Sequence, residues 1–252
     1  MKKINLLFTI LSFVIMTSIN AQDATVDEII DGYFENTGGK ENWENLKGIK
    51  MIAKVNQQGM EIPLEIVQMT DGRQYTKISL QGNSFYQGVF DGETMWGTNF
   101  QALKAEKADD ETTANAKLDM NDFPDSFLGY KEKGYTVELM GVEDVDGADA
   151  YKVKLTKEPK TLEGKEVEDV SFYFFEVESF VQLAVESEIK SGPMAGKISR
   201  STMSDYQEVD GLYFPFSLTQ GIKGDPSQPL VIESIEANPE VDDSVFAFPS
   251  GE

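Results

Sequence analysis

The chain has 252 residues, with 44 Asp or Glu against 22 Lys or Arg, no His and no Cys, so its formal net charge at pH 7 is −22. A surface of that sign repels phosphate backbones and anionic head groups, which argues against nucleic acid as a partner and against a membrane-surface habit. Without His or Cys there is no serine–histidine triad, no thiolate nucleophile and no His- or Cys-ligated metal centre, which leaves carboxylate chemistry as the remaining catalytic option.

Lys2 and Lys3 precede an apolar run over residues 6–16, and Ser18-Ile19-Asn20-Ala21 offers a small residue before Gln22. This is the pattern of an export signal over residues 1–21, too short to span a bilayer, with the mature chain expected to begin at Gln22. Cleavage removes Lys2 and Lys3 and no acid, so the charge of −22 becomes −24. No cysteine follows the apolar run, which excludes a thioether-linked lipid there, and a soluble periplasmic product without stable membrane insertion is expected. Export normally brings an oxidising compartment, yet the chain has no disulfide to use. Residues 22–252 must rest on their own core and are long enough to form it as a single domain.

Taken in chain order, the first predicted element is a helix. Thr25-Val26-Asp27-Glu28 reads as a capping box, Val26, Ile29, Ile30, Tyr33 and Phe34 recur at helical spacing, and Gly38-Gly39 ends the run. A short second helix over 40–46 lays Trp43 and Leu46 on one side. From Ile49 onward, alternating apolar and polar positions predict strands over 49–56, 60–69, 74–80, 84–90, 94–100, 136–142, 150–156, 170–177, 181–190, 199–207, 212–222 and 230–235. Asp71-Gly72, Asp91-Gly92, Asp146-Gly147 and Asp210-Gly211 each sit between two such runs and mark hairpins. The fold class is mainly β (α+β), an antiparallel meander that closes or curls into a barrel. Residues 102–133 interrupt it. Helix formers dominate there, with Leu118, Met120, Phe123, Phe127 and Leu128 as apolar members, and the stretch predicts a loop followed by two short helices over the sheet, Pro124 in the first turn of the second.

Two acidic features yield to simpler explanations. Asp144-Val145-Asp146-Gly147-Ala148-Asp149 looks calcium-like, but the fifth, sixth and twelfth positions of such a loop hold Ala148, Asp149 and Leu155, and it reads as a hairpin turn. A glycosidase-type carboxyl pair is not legible from spacing when 44 acids are spread along the chain. The aromatic pattern is more informative: Phe172-Tyr173-Phe174-Phe175 places large rings on both faces of one strand, and Tyr213-Phe214-Pro215-Phe216 nearly repeats it. Both faces there need cover, and the inner face of a curled sheet bounds either a packed core or a cavity for an apolar ligand.

Val26-Asp27-Glu28-Ile29-Ile30 with Thr37-Gly38-Gly39-Lys40, then Phe90-Asp91-Gly92-Glu93-Thr94-Met95-Trp96, Gly134-Tyr135-Thr136-Val137, Asp149-Ala150-Tyr151-Lys152-Val153-Lys154 and the run from Ser204-Asp205-Tyr206 to Leu212-Tyr213-Phe214-Pro215-Phe216 follow one another along nearly the whole mature chain. In that order they resemble exported proteins of Bacteroidetes type with a LolA-like fold, a family of outer-membrane lipoprotein-sorting carriers and related periplasmic lipid-binding proteins. The resemblance implies an incomplete antiparallel barrel whose concave side is plugged by helices over a cavity for the acyl chains of a lipid or lipoprotein. It implies a non-enzymatic carrier that moves this cargo toward the outer membrane, without cofactor or metal, working with envelope donor and acceptor proteins. On this chain, Leu64, Ile66, Ile78, Phe85, Trp96, Tyr173, Phe175 and Phe214 are the strand residues expected to bound that cavity, with Phe127 in the plug. Each assignment to a face depends on register, since a shift of one residue sends a side chain to the other side. A filled half-barrel serving as an interaction or sensor module and an unrecognised carboxylate hydrolase are the other readings.

Overall fold

The computed structural model of the protein describes residues 24–57 and 59–249; the expected export segment and its boundary at Gln22 lie outside them. In chain order the elements are α1 (Val26–Asn36), α2 (Lys40–Asn45), β1 (Gly48–Gln57), β2 (Met60–Met69), β3 (Gln74–Leu80), β4 (Asn83–Phe90), β5 (Met95–Asn99), β6 (Lys104–Lys107), α3 (Asp110–Asp119), β7 (Thr136–Val145), β8 (Ala148–Thr156), β9 (Lys160–Leu162), β10 (Lys165–Val167), β11 (Val170–Glu176), β12 (Gln182–Glu188), β13 (Ile198–Val209), β14 (Leu212–Ile222) and β15 (Gln228–Ala237).

The first helix forms where the capping box places it. Thr25 Oγ1 accepts from the Glu28 N–H at 3.2 Å, and the Glu28 carboxylate accepts from the Thr25 N–H at 2.7 Å. Ile29, Ile30, Tyr33 and Phe34 form its buried face. Thr37, fully buried after its last turn, donates to the Tyr33 carbonyl at 2.7 Å and accepts from Trp43 Nε1 at 3.1 Å. A buried hydroxyl satisfied on both sides fixes α2 against α1, and Trp43 and Leu46 are both buried as the spacing predicts.

Thirteen strands form one antiparallel sheet in the order β6-β5-β4-β3-β2-β1-β15-β14-β13-β12-β11-β8-β7, and β9 with β10 makes a separate hairpin. The order follows from the Asp-Gly turns. Asp146 and Gly147, like Asp210 and Gly211, have positive φ, the conformation that tight hairpins require and that Asp and Gly adopt readily. The calcium-like stretch is thus the β7–β8 turn, with the Gly147 N–H donating to Asp144 Oδ1. Bulges bend the sheet at Ile52/Ala53, Gln74/Thr76, Leu139/Gly141 and Phe174/Phe175. It curls without closing: β6 and β7 remain edges, and the structure is an open half-barrel.

The two edge strands are consecutive in the chain, so residues 108–135 must cross the open side of the half-barrel. This crossing segment differs from expectation. After strand β6, which stands where a loop was expected, it holds a single helix, α3, followed by a 3-10 turn (Met120–Asp122) and a series of turns, with no second helix. Phe123, which precedes proline, is extended (φ −90°, ψ 139°), so Pro124 follows a turn and opens no helix. Strands β6, β9 and β10 escaped the sequence reading because they are three or four residues long and mostly polar.

Candidate functional site

Register identifies the side chains that share the concave face. Met51 and Ile49 of β1 pack with the core beneath α1 and α2, and alternation adds Ala53 and Val55 to that face. Direct pairing carries the row from Ala53 to Leu64, Ile78 and Phe85 across β2, β3 and β4. A second row runs from Ile62 through Val55, Leu230 and Leu218 to Met203. A third joins Met51, Ile66, Thr76 and Gln87.

This face is divided in two. Over β8, β11 and the Leu212 end of β14 it is filled: Tyr151, Val153, Leu155, Phe175, Leu212 and Phe214 are buried against α1, α2 and the end of the crossing segment. Phe127 of that segment sits with its ring 4.7 Å from Tyr173 and 5.5 Å from Phe175, centroid to centroid. Over β1 to β4 and the adjoining ends of β15, β14 and β13 it is open. Val55, Ile62, Leu64, Ile66, Ile78, Phe85, Leu218 and Leu230 are all only half-buried, although most are aliphatic residues of strand interiors. An apolar strip of this kind, incompletely covered, offers area against which an apolar ligand can pack.

Between the two halves lies the Phe123–Pro124–Asp125 stretch. A cavity of about 450 Å³ opens on one side of it, lined among others by Gln68, Gln74, Asp122, Tyr173 and Gln182. A smaller one of about 190 Å³ opens on the other, lined by Tyr33, Trp43, Tyr206 and Phe214 among others. Asp125 borders both. Its carboxylate accepts from Tyr33 Oη at 3.0 Å and from the Phe127 N–H at 2.8 Å. Burial outweighs these hydrogen bonds and pushes its carboxyl up to about 6. Burial also raises the Tyr33 phenol, with the Asp125 charge adding to it. Asp122 accepts from Lys157 Nζ at 2.6 Å and from Tyr135 Oη at 3.1 Å. Both carboxylates are therefore engaged in anchoring the crossing segment, an arrangement that differs from a free acid pair flanking a polar cleft. Among the described residues no group of three or more acidic side chains is placed to hold a metal ion.

The helix of the crossing segment is held differently. The Glu111 carboxylate accepts from the Glu163 and Gly164 N–H groups at 2.7 and 2.8 Å, and Asn115 exchanges two hydrogen bonds with the backbone of Thr161. α3 buries no residue. It is tied to the β9–β10 hairpin by polar contacts, while Phe127, Tyr130 and Tyr135 of the same segment are core.

The residues expected at the site thus separate into four groups. Leu64, Ile66, Ile78 and Phe85 lie together on the open strip. Phe127, Phe175 and Phe214 lie in the filled half, where Phe127 is packed with the core beneath α1. Tyr173 stands at the boundary and lines the larger cavity. Trp96 lies on the opposite, convex face with Val67, Tyr75 and Val89, sealed by Phe246, whose carbonyl accepts from Trp96 Nε1 at 2.9 Å. The cause is the β3–β4 bulge beside Gly88, which has φ +57°: Thr76 pairs with Gln87 but Gln74 with Phe90, so Val89 and its partner Trp96 face outward. Ile62, Val55, Leu230 and Leu218 were missed although strand alternation alone marks them. Asp125 carries no signal in sequence, because its burial depends on the crossing segment's path.

No protein-family model matches the chain, and no curated protein matches it. Among solved structures, a LolA superfamily protein from Nitrosomonas europaea superposes with a TM-score of 0.53 at 11% identity, covering 89% of this chain and 98% of that one. An outer membrane lipoprotein-sorting protein domain, described as putative, from Vibrio parahaemolyticus gives 0.52 at 12% identity, covering 87% and 94%. A DUF1329 family protein from Desulfovibrio piger gives 0.52 at 14%, covering 88% and 97%. The fold is LolA-like, as the order of motifs along the chain implied.

Proposed function

We propose that the protein is a non-enzymatic carrier of the periplasm that binds the acyl part of a lipid or lipoprotein on the open strip of its concave face and moves it toward the outer membrane. The observation that carries this reading is the row Leu64–Ile78–Phe85 with Val55, Ile62, Ile66, Leu218 and Leu230 beside it, apolar side chains of the concave face that are only half-buried. Holding an acyl chain out of water requires apolar area and a cover, with no nucleophile or metal. Transfer of about a dozen methylenes gains on the order of 10 kcal/mol before the cost of displacing the cover, which is compatible with micromolar binding. The lipoprotein-sorting domain among the structural neighbours supports this reading through its description. The lysine-led signal over residues 1–21 supports export.

A dansyl-labelled fatty acid should bind saturably and brighten as it leaves water. Ile78→Asp, at a half-buried position, should weaken that binding at least tenfold while the thermal transition is retained. Absence of a saturable response up to millimolar probe would overturn the carrier. The filled half of the concave face favours a second reading, an envelope interaction module, which that result would promote.

A further inference from the structure

In the run of strands from β6 to β12, hairpin turns alternate between two ends of the sheet. The turns joining β1–β2, β3–β4, β5–β6, β12–β13 and β14–β15 lie at one end, and those joining β2–β3, β4–β5, β11–β12 and β13–β14 at the other. The two ends differ in kind. At the second, the turns carry Asp71, Asp91, Glu93, Glu178 and Asp210 against Arg73 alone. At the first, they carry Lys190, Lys197 and Lys223 against Asp225 alone, with Lys104 opening β6. Lys104 and Arg200 at the adjoining strand ends are matched by Glu61, Glu106, Glu186 and Glu188, so in a chain whose net charge is −22 this end of the strand run is close to neutral while the other is acidic. The overall charge hides that polarity.

The same end displays large apolar side chains to water: Met60 is 49% exposed, Phe100 51%, Leu103 67% and Met194 42%. Residues 100–103 form an ordered tip, since Asn99 Oδ1 accepts from the N–H groups of Gln101 and Ala102 at 2.8 and 2.9 Å. Leu103 holds φ +55°, a left-handed conformation that costs a leucine about 1 kcal/mol or more and that Gly or Asn would adopt more easily. Neither the exposure nor the backbone conformation of Leu103 helps the fold. Phe100 stands 5.1 Å from Phe85, ring centroid to centroid, so the tip continues into the apolar strip of the concave face.

We propose that this end of the half-barrel is a reversible docking surface for an anionic lipid bilayer. Phe100, Leu103, Met60 and Met194 enter the head-group region, and the lysines face its negative charge. Lys190 and Lys223 are also paired, with Glu188 at 2.7 Å and Glu186 at 2.8 Å; Lys197 is only 4.0 Å from Asp225 at its closest. The charge contribution is therefore modest, and the apolar tips supply most of the attachment. The inference does not depend on occupancy of the concave face.

Flotation with vesicles tests it. The mature protein should float with vesicles of phosphatidylethanolamine and phosphatidylglycerol, and several-fold less with phosphatidylcholine alone or after adding salt. Phe100→Ser combined with Leu103→Asn, a pair that leaves the core untouched and eases the left-handed turn, should lower partition tenfold or more. Lys104→Gln with Lys197→Gln should lower it several-fold on the anionic vesicles only. Binding of the dansyl-labelled fatty acid in solution should be unchanged by the lysine pair, which separates this proposal from the carrier function. No flotation on anionic vesicles, or flotation unaffected by Phe100→Ser with Leu103→Asn, overturns the proposal and leaves that end to a protein partner. Equal flotation on neutral and anionic vesicles overturns the role given to the lysines.

Discussion

Tyr33 Oη donates to Asp125 Oδ2 across 3.0 Å, joining residues 92 positions apart in sequence. With the Tyr130 Oη to Asp27 Oδ1 bond of 2.6 Å, it fastens helix α1 to the C-terminal half of the crossing segment. Both bonds are partly buried, but Asp125 lines the cavities on either side of it, while Asp27 is exposed at the helix N-terminus.

The buried carboxyl makes stability depend on pH. Its folded value, about 6, lies above the ordinary 3.8, so the folded state binds more protons between those limits. Stability contributed by the neutral acid is fully present below pH ~4 and is lost as pH rises through the folded value. Lys133 and Asp122 also face the group, lowering and raising it respectively. Asp125→Asn does not titrate. Denaturant unfolding should show the variant gaining on wild type by about 2 kcal/mol between pH ~4 and pH ~7.5. A constant difference between variant and wild type would refute the assignment.

Lys157 presents the opposite case. Burial pulls its ammonium down, but Asp122 and Asp169, at 2.6 and 3.1 Å, more than offset this and hold it above the ordinary lysine range. Lys157→Met leaves Asp119, Asp122 and Asp169 without this shared partner, although Lys160 still reaches two of them. A loss of about 3 kcal/mol in unfolding free energy is expected at neutral pH, shrinking as acid protonates the carboxylates. A loss that is independent of pH would contradict the charge account.

Large-to-small substitutions should distinguish the two halves of the concave face. Phe127→Ala removes a ring that is 2% exposed and should cost about 3–5 kcal/mol. Phe85→Ala removes a half-buried ring and should cost about 1 kcal/mol while weakening acyl binding. Similar losses at both sites would mean the open strip is core.

Cutting the ties of α3 should free the helix without unfolding the sheet. Glu111→Gln with Asn115→Ala removes polar contacts to Thr161, Glu163 and Gly164 but no buried apolar surface. Backbone amides of α3 should exchange at least tenfold faster, with those of β1 and β15 unchanged. Parallel acceleration in those strands would show that α3 is part of the cooperative core.

Much of this was legible because the signals are local. The capping box at Thr25, the Asp-Gly turns and the alternation of β2, β3 and β14 each fix an element without reference to the rest of the chain. The face of Trp96 was not legible. It depends on one extra residue beside Gly88, which reverses the side of everything after it in the hairpin while leaving alternation intact. Phe172 and Phe174 turn outward beneath Lys152, as two-sided cover of their strand required, whereas Tyr213 stays 38% exposed where the same pattern predicted cover. The division of the concave face is set by which residues of the crossing segment descend into it, and that is a tertiary fact.

Leaving the half-barrel unclosed also leaves two rows of backbone donors and acceptors at β6 and β7, a template onto which a second chain could polymerise. The sequence makes both rows poor templates. β6 is four residues long and three of them, Lys104, Glu106 and Lys107, are charged. β7 is broken by its bulge at Leu139/Gly141 and carries Glu138, Glu143 and Asp144. An incoming strand would gain a short ladder and strip water from charges to obtain it, so the opening can remain without inviting edge-to-edge aggregation.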